Sequence, residues 1–213
     1  MDVTRSRAVV WCGVVLVGAM LSAGPAAAQD RMPPIPTAQL TPEQQQAVAD
    51  FRAARNAELT GPFNPMLRSP EVMTRARALG DYLRYKTRLE PRHSEFVILM
   101  AARSWTQQYE WAVHYPIAIK AGVKPEVALA IAERRRPSGM TAEETTLYDF
   151  CDELIRTQAV GDATYARMVS AFGEPGVVDT VGIVGYYTML AMMLNTTRTP
   201  APDNGAPPLP PRH

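Results

Sequence analysis

Residues 91–122 read PRHSEFVILM AARSWTQQYE WAVHYPIAIK AG, and this stretch predicts two consecutive helices of different character. Pro91 suits the first position of a helix, where its missing N–H costs no hydrogen bond. Every side chain from residue 96 to residue 102 is apolar, which is typical of a helix buried on all sides. A second helix follows over about residues 107–121, and Gly122 suits the left-handed position after a helix end. Two packed helices of this kind predict an all-α core.

The sequence on both sides of this stretch predicts more helices and no strands. Thr41 before Pro42 and Thr141 before Glu144 are helix starts, because a threonine hydroxyl can accept hydrogen bonds from the first turn. The alternating patterns of strands and the turn dipeptides of hairpins are missing. We expect a single α-helical bundle of about seven to eight helices over residues 41–198, with helices starting near residues 42, 70, 91, 107, 125, 141 and 162.

The segment 176–195 is the most apolar part of the chain after its first thirty residues, and it is long enough to span a membrane. Asp179 lies inside it, and Gly182 and Gly185 lower its helix propensity. We expect this segment to be the central buried helix of the bundle rather than a membrane span.

Residues 1–28 have the three parts of a secretory signal peptide. Arg5 and Arg7 give a positive start, residues 8–21 form an apolar run, and three alanines over 26–28 offer the small side chains that a signal peptidase recognises. The apolar run is short for a membrane span of about 20 residues. We expect cleavage after Ala28 and an exported, periplasmic or secreted protein, the alternative being an uncleaved anchor.

Cleavage would change the thiol count and the charge. Cys12 lies within the signal, so Cys151 is the one thiol of the mature chain and no intramolecular disulfide can form. The formal net charge of +1 falls to about zero, and neither a nucleic acid nor a cationic partner is expected. A cluster of prolines predicts an extended linker over 29–40, and the proline-rich residues 199–213 predict a disordered tail.

His114 is the best candidate for acid–base chemistry in this sequence. His93, close after Pro91, is expected to be a surface residue at a helix start. Residues three and four apart on a helix share a face, so Gln107, Glu110 and His114 should line up. A carboxylate one turn before an imidazole can hold the ring and raise its basicity.

Glu95 and Pro116 add to the case for a site near His114. Glu95 lies on the apolar helix, where a buried carboxylate needs a partner or stays protonated, and helix packing could bring it to His114. Pro116 cannot donate a hydrogen bond to the carbonyl of Ala112. We therefore expect the helix to kink or end there and to leave that carbonyl open.

Several segments of this chain resemble the carboxymuconolactone decarboxylase family. They are LEPRHSE at 89–95, YEWAVH at 109–114 and AGV at 121–123, followed by FG at 172–173, GYY at 185–187 and LN at 194–195. The resemblance covers about residues 60–197. That superfamily is similar in fold to the alkylhydroperoxidase D proteins, which implies an all-helical fold and assembly as a trimer or hexamer.

The resemblance also implies a site. Alkylhydroperoxidase D proteins carry a Glu, eleven intervening residues and then Cys-x-x-Cys-x-x-x-His. In this register Glu95 falls on the proton-relay glutamate and His114 on the histidine, whereas Gln107 and Glu110 stand where the two cysteines would be. Neither Gln nor Glu can act as a thiolate nucleophile or as a resolving thiol, so acid–base chemistry remains.

The decarboxylase branch implies a cofactor-free decarboxylation or proton transfer on a small carboxylated lactone or organic acid. The lactone carbonyl of the substrate would take the electrons left by carbon dioxide, and the enzyme would protonate the dienolate. We expect an exported homo-oligomer with no cofactor, no metal and no stable membrane span after cleavage. The residues expected to be catalytic are His114, Glu110 and Glu95, and those expected to bind the substrate are Gln107, Tyr109 and Trp111.

Alternatives stay open. A hydroperoxide reductase of the superfamily could work through Cys151 alone, without the usual cysteine pair. Glu95, Glu110 and His114 could together bind a metal. A non-catalytic exported helical oligomer is also compatible with the pattern. In structural interpretations, Cys151 is a buried, inert thiol and the aromatic side chains belong to the core or to an interface. These aromatic side chains are Trp105, Tyr109 and Trp111.

Overall fold

The computed structural model describes residues 29–211, and within them the chain forms eight α-helices and one short 3-10 helix, with no strand. The all-α prediction is therefore confirmed. The predicted signal peptide, residues 1–28, lies outside the described residues. In chain order the helices are Thr37–Gln39 (3-10), α1 (Pro42–Arg55), α2 (Phe63–Met66), α3 (Pro70–Tyr85), α4 (Pro91–Ser104), α5 (Gln108–Lys120), α6 (Pro125–Ala132), α7 (Ala142–Thr157) and α8 (Asp162–Thr197).

The helix α4 is the centre of the bundle. It packs against α3, α5, α6, α7 and α8, and Phe96, Val97, Ile98 and Leu99 are all completely buried. Each such side chain contributes about 1.5–3 kcal/mol when it leaves water. The apolar run therefore does what its pattern indicates: it forms the core around which the other helices assemble.

The helix α5 continues through Pro116 to Lys120, so it does not end at this proline. The carbonyl of Ala112 does lose its helical partner, because proline has no N–H to donate. It is satisfied from outside the helix instead: the Nδ2 of Asn204 donates to it at 2.8 Å. Satisfaction of this carbonyl, together with burial of the helix, lets α5 tolerate the proline.

Residues 199–211 pack against the bundle, which corrects the expectation of a disordered tail. Leu209 is only 3% exposed, and its backbone makes hydrogen bonds in both directions with the side-chain amide of Gln108. The segment 29–40 is also tied down, since the N–H of Arg31 donates to the carbonyl of Thr197 at 2.7 Å. Proline content predicted extended backbone correctly here, but it carried no information about docking.

The helix α8 is interrupted at Gly173, which adopts φ 67° and ψ 171°. Among residues 29–211 it is the one helix long and apolar enough to cross a membrane, yet half of its most apolar window is buried. Asp179 within it is buried and accepts hydrogen bonds from the hydroxyl of Tyr82 and the N–H of Arg88, each at 3.1 Å. A carboxylate satisfied by the neighbouring helix and loop agrees with a core helix of the bundle.

Candidate active site

A cavity of about 120 Å³ lies where α5 and α8 meet the arginines of α1 and α3. Its lining includes Glu110 and His114 from α5 and Tyr186 and Tyr187 from α8. One water occupies about 30 Å³ of the liquid, and an engineered cavity of about 150 Å³ in another protein holds a benzene molecule. The cavity therefore suits a small organic molecule.

His114 is held by Glu95, which reaches it from α4. The Nδ1 of His114 lies 2.7 Å from the Oε2 of Glu95, and both side chains are buried. No hydrogen bond among the described residues uses the other ring nitrogen, Nε2. A carboxylate on Nδ1 orients the ring and stabilises the imidazolium that forms when Nε2 takes a proton.

Glu110 lies on the same cavity but does not hold the histidine, which corrects the expected Glu110–His114 pair. The spacing of four residues does bring both side chains to one face of α5, as the helical repeat requires. The hydrogen bond to the ring, however, comes from Glu95, nineteen residues away in the chain. Packing of α4 against α5 decides this choice, and local spacing does not contain it.

The carboxyl group of Glu110 is buried without a hydrogen-bond partner among the described residues. The residue is 3% exposed, and neither carboxyl oxygen has a partner. Burial raises the pKa of Glu110 well above its ordinary value of 4.5. This shift favours the protonated acid, whose O–H would be a donor without a described acceptor. An unsatisfied buried polar group costs about 1–3 kcal/mol, which is typical of a site that a ligand completes.

Two arginines give the cavity a positive wall. The Nη2 of Arg84 lies 3.7 Å from the Oε1 of Glu95. The Nε of Arg84 is buried without a hydrogen-bond partner among the described residues. The Nε of Arg55 donates to Asp81 at 2.7 Å. A guanidinium group is a preferred partner of carboxylates, so Arg84 and Arg55 make the cavity suitable for an organic anion.

Sequence reasoning missed Arg84 and Arg55. Neither belongs to a motif, and each comes from a helix that precedes the segment 91–122 in the chain. The sequence around an arginine does not indicate whether its side chain will reach a cavity or remain on the surface. Only the packing of α1 and α3 against the rest of the bundle brings the two guanidinium groups to the cavity.

Tyr186 and Tyr187 close the α8 side of the cavity with phenol groups that stay protonated. Burial raises the pKa of Tyr186 to about 12 and raises that of Tyr187 well above its ordinary value. The ring of Tyr187 packs edge-on against the His114 ring, with centroids 5.0 Å apart. These rings restrict the orientation of the imidazole and limit the access of water.

Of the three residues expected to bind the substrate, the structure brings only Tyr109 to the cavity. Gln107 is the N-cap of α5, where its side-chain oxygen accepts from the N–H groups of Tyr109 and Glu110. Its Nε2 donates to the Oδ1 of Asn195 at 2.9 Å. Trp111 is 1% exposed and donates from Nε1 to the carbonyl of Pro207. Gln107 therefore positions the start of α5, and Trp111 serves the packing of residues 199–211.

His93 and Cys151 are both buried away from the cavity lining. The surface expectation for His93 is wrong: its ring packs edge-on against Phe172, with centroids 5.4 Å apart, because α8 covers the start of α4. Burial, and then the charge of Arg92, lower the pKa of His93. Cys151 is completely buried, and burial raises its thiol pKa to about 12, as expected for an inert thiol.

Among residues 29–211, no group of three or more His, Cys, Asp and Glu side chains is arranged to hold a metal ion. One small cavity is thus lined by a carboxylate-held imidazole, a carboxyl group with a raised pKa, guanidinium groups and phenols. These features define a helical-bundle protein with a cavity lined by acidic, basic and phenolic side chains.

Comparison with known proteins shows which family part of this chain is similar to. The model of the carboxymuconolactone decarboxylase family matches residues 70–151, a range that contains Arg84, Glu95, Glu110 and His114. A comparison with curated protein sequences gives no match. Residues 70–151 are thus similar to that family, and the solved structures that follow share the fold of this chain.

Three solved structures share the fold. An uncharacterised peroxidase-related protein with an alkylhydroperoxidase AhpD core, from Ralstonia eutropha JMP134, is 18% identical with a TM-score of 0.66, over 81% of this chain and 92% of that one. A protein of unknown function from Agrobacterium tumefaciens, named for antioxidant defence as an AhpD, is 18% identical with a TM-score of 0.56, over 67% and 99%. The debrominase Bmp8, in a variant with cysteine replaced by alanine and bound to 2,3,4-tribromopyrrole, is 9% identical with a TM-score of 0.65, over 84% and 95%.

Proposed function

We propose that this protein is an enzyme that carries out cofactor-free acid–base chemistry, a decarboxylation or proton transfer, on a small carboxylated lactone or organic acid. One observation carries the proposal. A buried, unpartnered carboxyl group and a carboxylate-held imidazole line the same cavity of about 120 Å³, beside two arginines. The site thus combines a carboxyl group whose raised pKa favours the acid form with an imidazole that can transfer a proton, the groups that general acid–base catalysis uses.

The proposed step begins with the substrate anion beside Arg84. The bond between the substrate carbon and its carboxylate breaks, carbon dioxide leaves, and the electron pair moves through the conjugated system onto the lactone carbonyl oxygen. The O–H of Glu110 donates a hydrogen bond to that oxygen as negative charge develops on it. The Nε2 of His114 then delivers a proton to carbon, and solvent returns one proton to the imidazole, so atoms and charge balance.

The experiment is a screen of the purified protein against small carboxylated lactones, with release of carbon dioxide as the readout. We expect the His114→Ala variant to lose about 10²–10⁴-fold in kcat, the usual contribution of a general acid–base group. Glu126→Gln is the matched control, because Glu126 is exposed on α6, and it should keep full activity. Turnover that His114→Ala leaves unchanged would refute the proposed role.

Thiol-based hydroperoxide reduction through Cys151 has less support. The thiol is completely buried with a pKa near 12, whereas a peroxidatic cysteine must be an accessible thiolate. The neighbouring structures named for peroxidase or antioxidant roles share less than 25% identity with this chain and support the fold alone.

We also propose that this protein is exported and that it forms a homo-oligomer. The charged, apolar and small-residue parts of residues 1–28 support a protein that is cleaved after Ala28 and acts in the periplasm or outside the cell. N-terminal sequencing of the mature protein should begin at Gln29, and an intact Met1 would contradict cleavage.

A further inference from the structure

The helix α5 has a second face, turned away from the cavity, that contacts the segment 203–211. At 100° per residue, the cavity residues Tyr109, Glu110, Val113 and His114 cluster on one side of the helix axis. The residues that contact the segment 203–211 lie on the opposite side. They are Gln108, Trp111 and Ala112.

Side chains on this second face form hydrogen bonds with the backbone of the docked segment. The Nε1 of Trp111 donates to the carbonyl of Pro207 at 2.8 Å. Gln108 donates from Nε2 to the carbonyl of Leu209 at 2.8 Å and accepts from the N–H of Leu209 at 3.0 Å. From α4, Arg103 donates to the carbonyl of Pro210 at 2.8 Å. Three side chains thus donate hydrogen bonds to three carbonyls within four consecutive residues.

The composition of the docked segment matches this pattern of donors. Residues 207–211 read PPLPP, so four of the five residues have no N–H and offer only carbonyls. The single N–H, on Leu209, is the one that Gln108 accepts. The Leu209 side chain is 3% exposed and gives the contact an apolar anchor. Proline also restricts the free segment to extended backbone, which lowers the entropy lost on docking.

We propose that the face formed by Arg103, Gln108 and Trp111 is a binding groove for extended proline-rich peptides with an apolar residue between proline pairs. In this structure the groove is filled by the chain's own residues 203–211. An indole and an amide that donate to the carbonyls of a proline-rich segment are the chemistry by which such peptides are recognised. Residues 200–203, which join the docked segment to α8, are exposed, so the segment can leave while the helices stay in place.

The test uses the full chain and a labelled peptide with the sequence of residues 203–211. In the wild type the covalently attached copy competes at high effective concentration, so the peptide should not bind measurably. Leu209→Asp places a charge at the buried anchor and should release the segment. The peptide should then bind the Leu209→Asp chain, followed by fluorescence anisotropy, and a peptide with aspartate in place of leucine should not.

Adding Gln108→Ala to Leu209→Asp should weaken peptide binding by about tenfold or more, since two hydrogen bonds are lost. Adding Glu126→Gln instead should leave binding unchanged. No binding to a folded Leu209→Asp chain, or equal binding after Gln108→Ala, would overturn the proposal. If Leu209→Asp does not fold, hydrogen exchange decides: the Leu209 amide should be protected in the wild type and exchange at least tenfold faster in Gln108→Ala, and equal rates would overturn the proposal.

Discussion

At the scale of single residues, Glu110 departs furthest from what its neighbours in the sequence indicate. Its spacing from His114 predicts an ion pair, but the fold leaves its carboxyl group without a partner among the described residues, and burial raises its pKa. In the register of alkylhydroperoxidase D proteins this position is a cysteine. Under the proposed function, a carboxylic acid there would put a proton donor in the place of a potential nucleophile.

The pH dependence of stability tests the state of Glu110. The unfolded chain releases this proton near its ordinary pKa of 4.5, whereas the folded protein holds it to higher pH. Above pH 4.5 the folded state therefore binds more protons, and the free energy of unfolding falls as pH rises toward the raised pKa. Glu110→Gln should remove this loss, which amounts to about 1.4 kcal/mol per unit of pKa difference.

The measurement is denaturant unfolding of the wild type and Glu110→Gln at pH 4.5 and pH 7.5. We expect the variant to gain stability relative to the wild type at pH 7.5 and to show little difference at pH 4.5. A difference that does not depend on pH would mean that Glu110 is ionised in the folded protein.

The contact between Glu95 and His114 makes a second prediction at this scale. Glu95→Gln keeps a polar group near Nδ1 but removes the charge that stabilises the imidazolium, so kcat should fall about 10²-fold or more. Because the two residues act as one unit, Glu95→Gln combined with His114→Ala should be no worse than His114→Ala alone. Additive losses in the screened reaction would show that Glu95 acts independently of the imidazole.

At the scale of elements, Gly173 divides α8 into two helical parts. Its φ of 67° and ψ of 171° belong to a region that is essentially open to glycine alone. Gly173→Ala should therefore cost about 1–3 kcal/mol in the free energy of unfolding. Gly185 is the matched control, because a Cβ there meets no heavy atom within 4 Å.

Within a regular helix Gly185→Ala should stabilise the protein by about 0.5–1 kcal/mol. In thermal or urea unfolding, the two substitutions should therefore change the free energy of unfolding in opposite directions. Destabilisation of similar size by both substitutions would instead indicate that α8 is crowded along its length.

At the scale of the whole molecule, apolar side chains remain exposed on two helices that pack against each other. On α3, Val72 and Leu79 are 46% and 48% exposed, and on α8, Val178 and Val181 are 69% and 44% exposed. Exposed apolar surface of this kind is typical of a protein interface. It supports the proposal that the chain forms a homo-oligomer.

Light scattering after size exclusion should give the mass of a trimer or hexamer for the mature protein. Val178→Lys together with Val181→Lys should reduce that mass, because lysine ammonium groups would be buried at the interface without partners. Leu129→Lys on α6, a comparably exposed apolar position, should leave it unchanged. A monomeric wild type at micromolar concentration would contradict the proposal.

The sequence by itself determined the helices, because capping threonines, helix-starting prolines and an apolar run at 96–102 act over a few residues. It also determined the register of Glu95, Glu110 and His114, since that register is a matter of spacing along the chain. The tertiary structure decided which carboxylate holds the imidazole, which arginines reach the cavity and where residues 199–211 dock. These depend on contacts between groups up to about a hundred residues apart, such as Asn204 with Ala112. Such contacts form only when helices pack, and no local pattern of side chains encodes the partner that packing supplies.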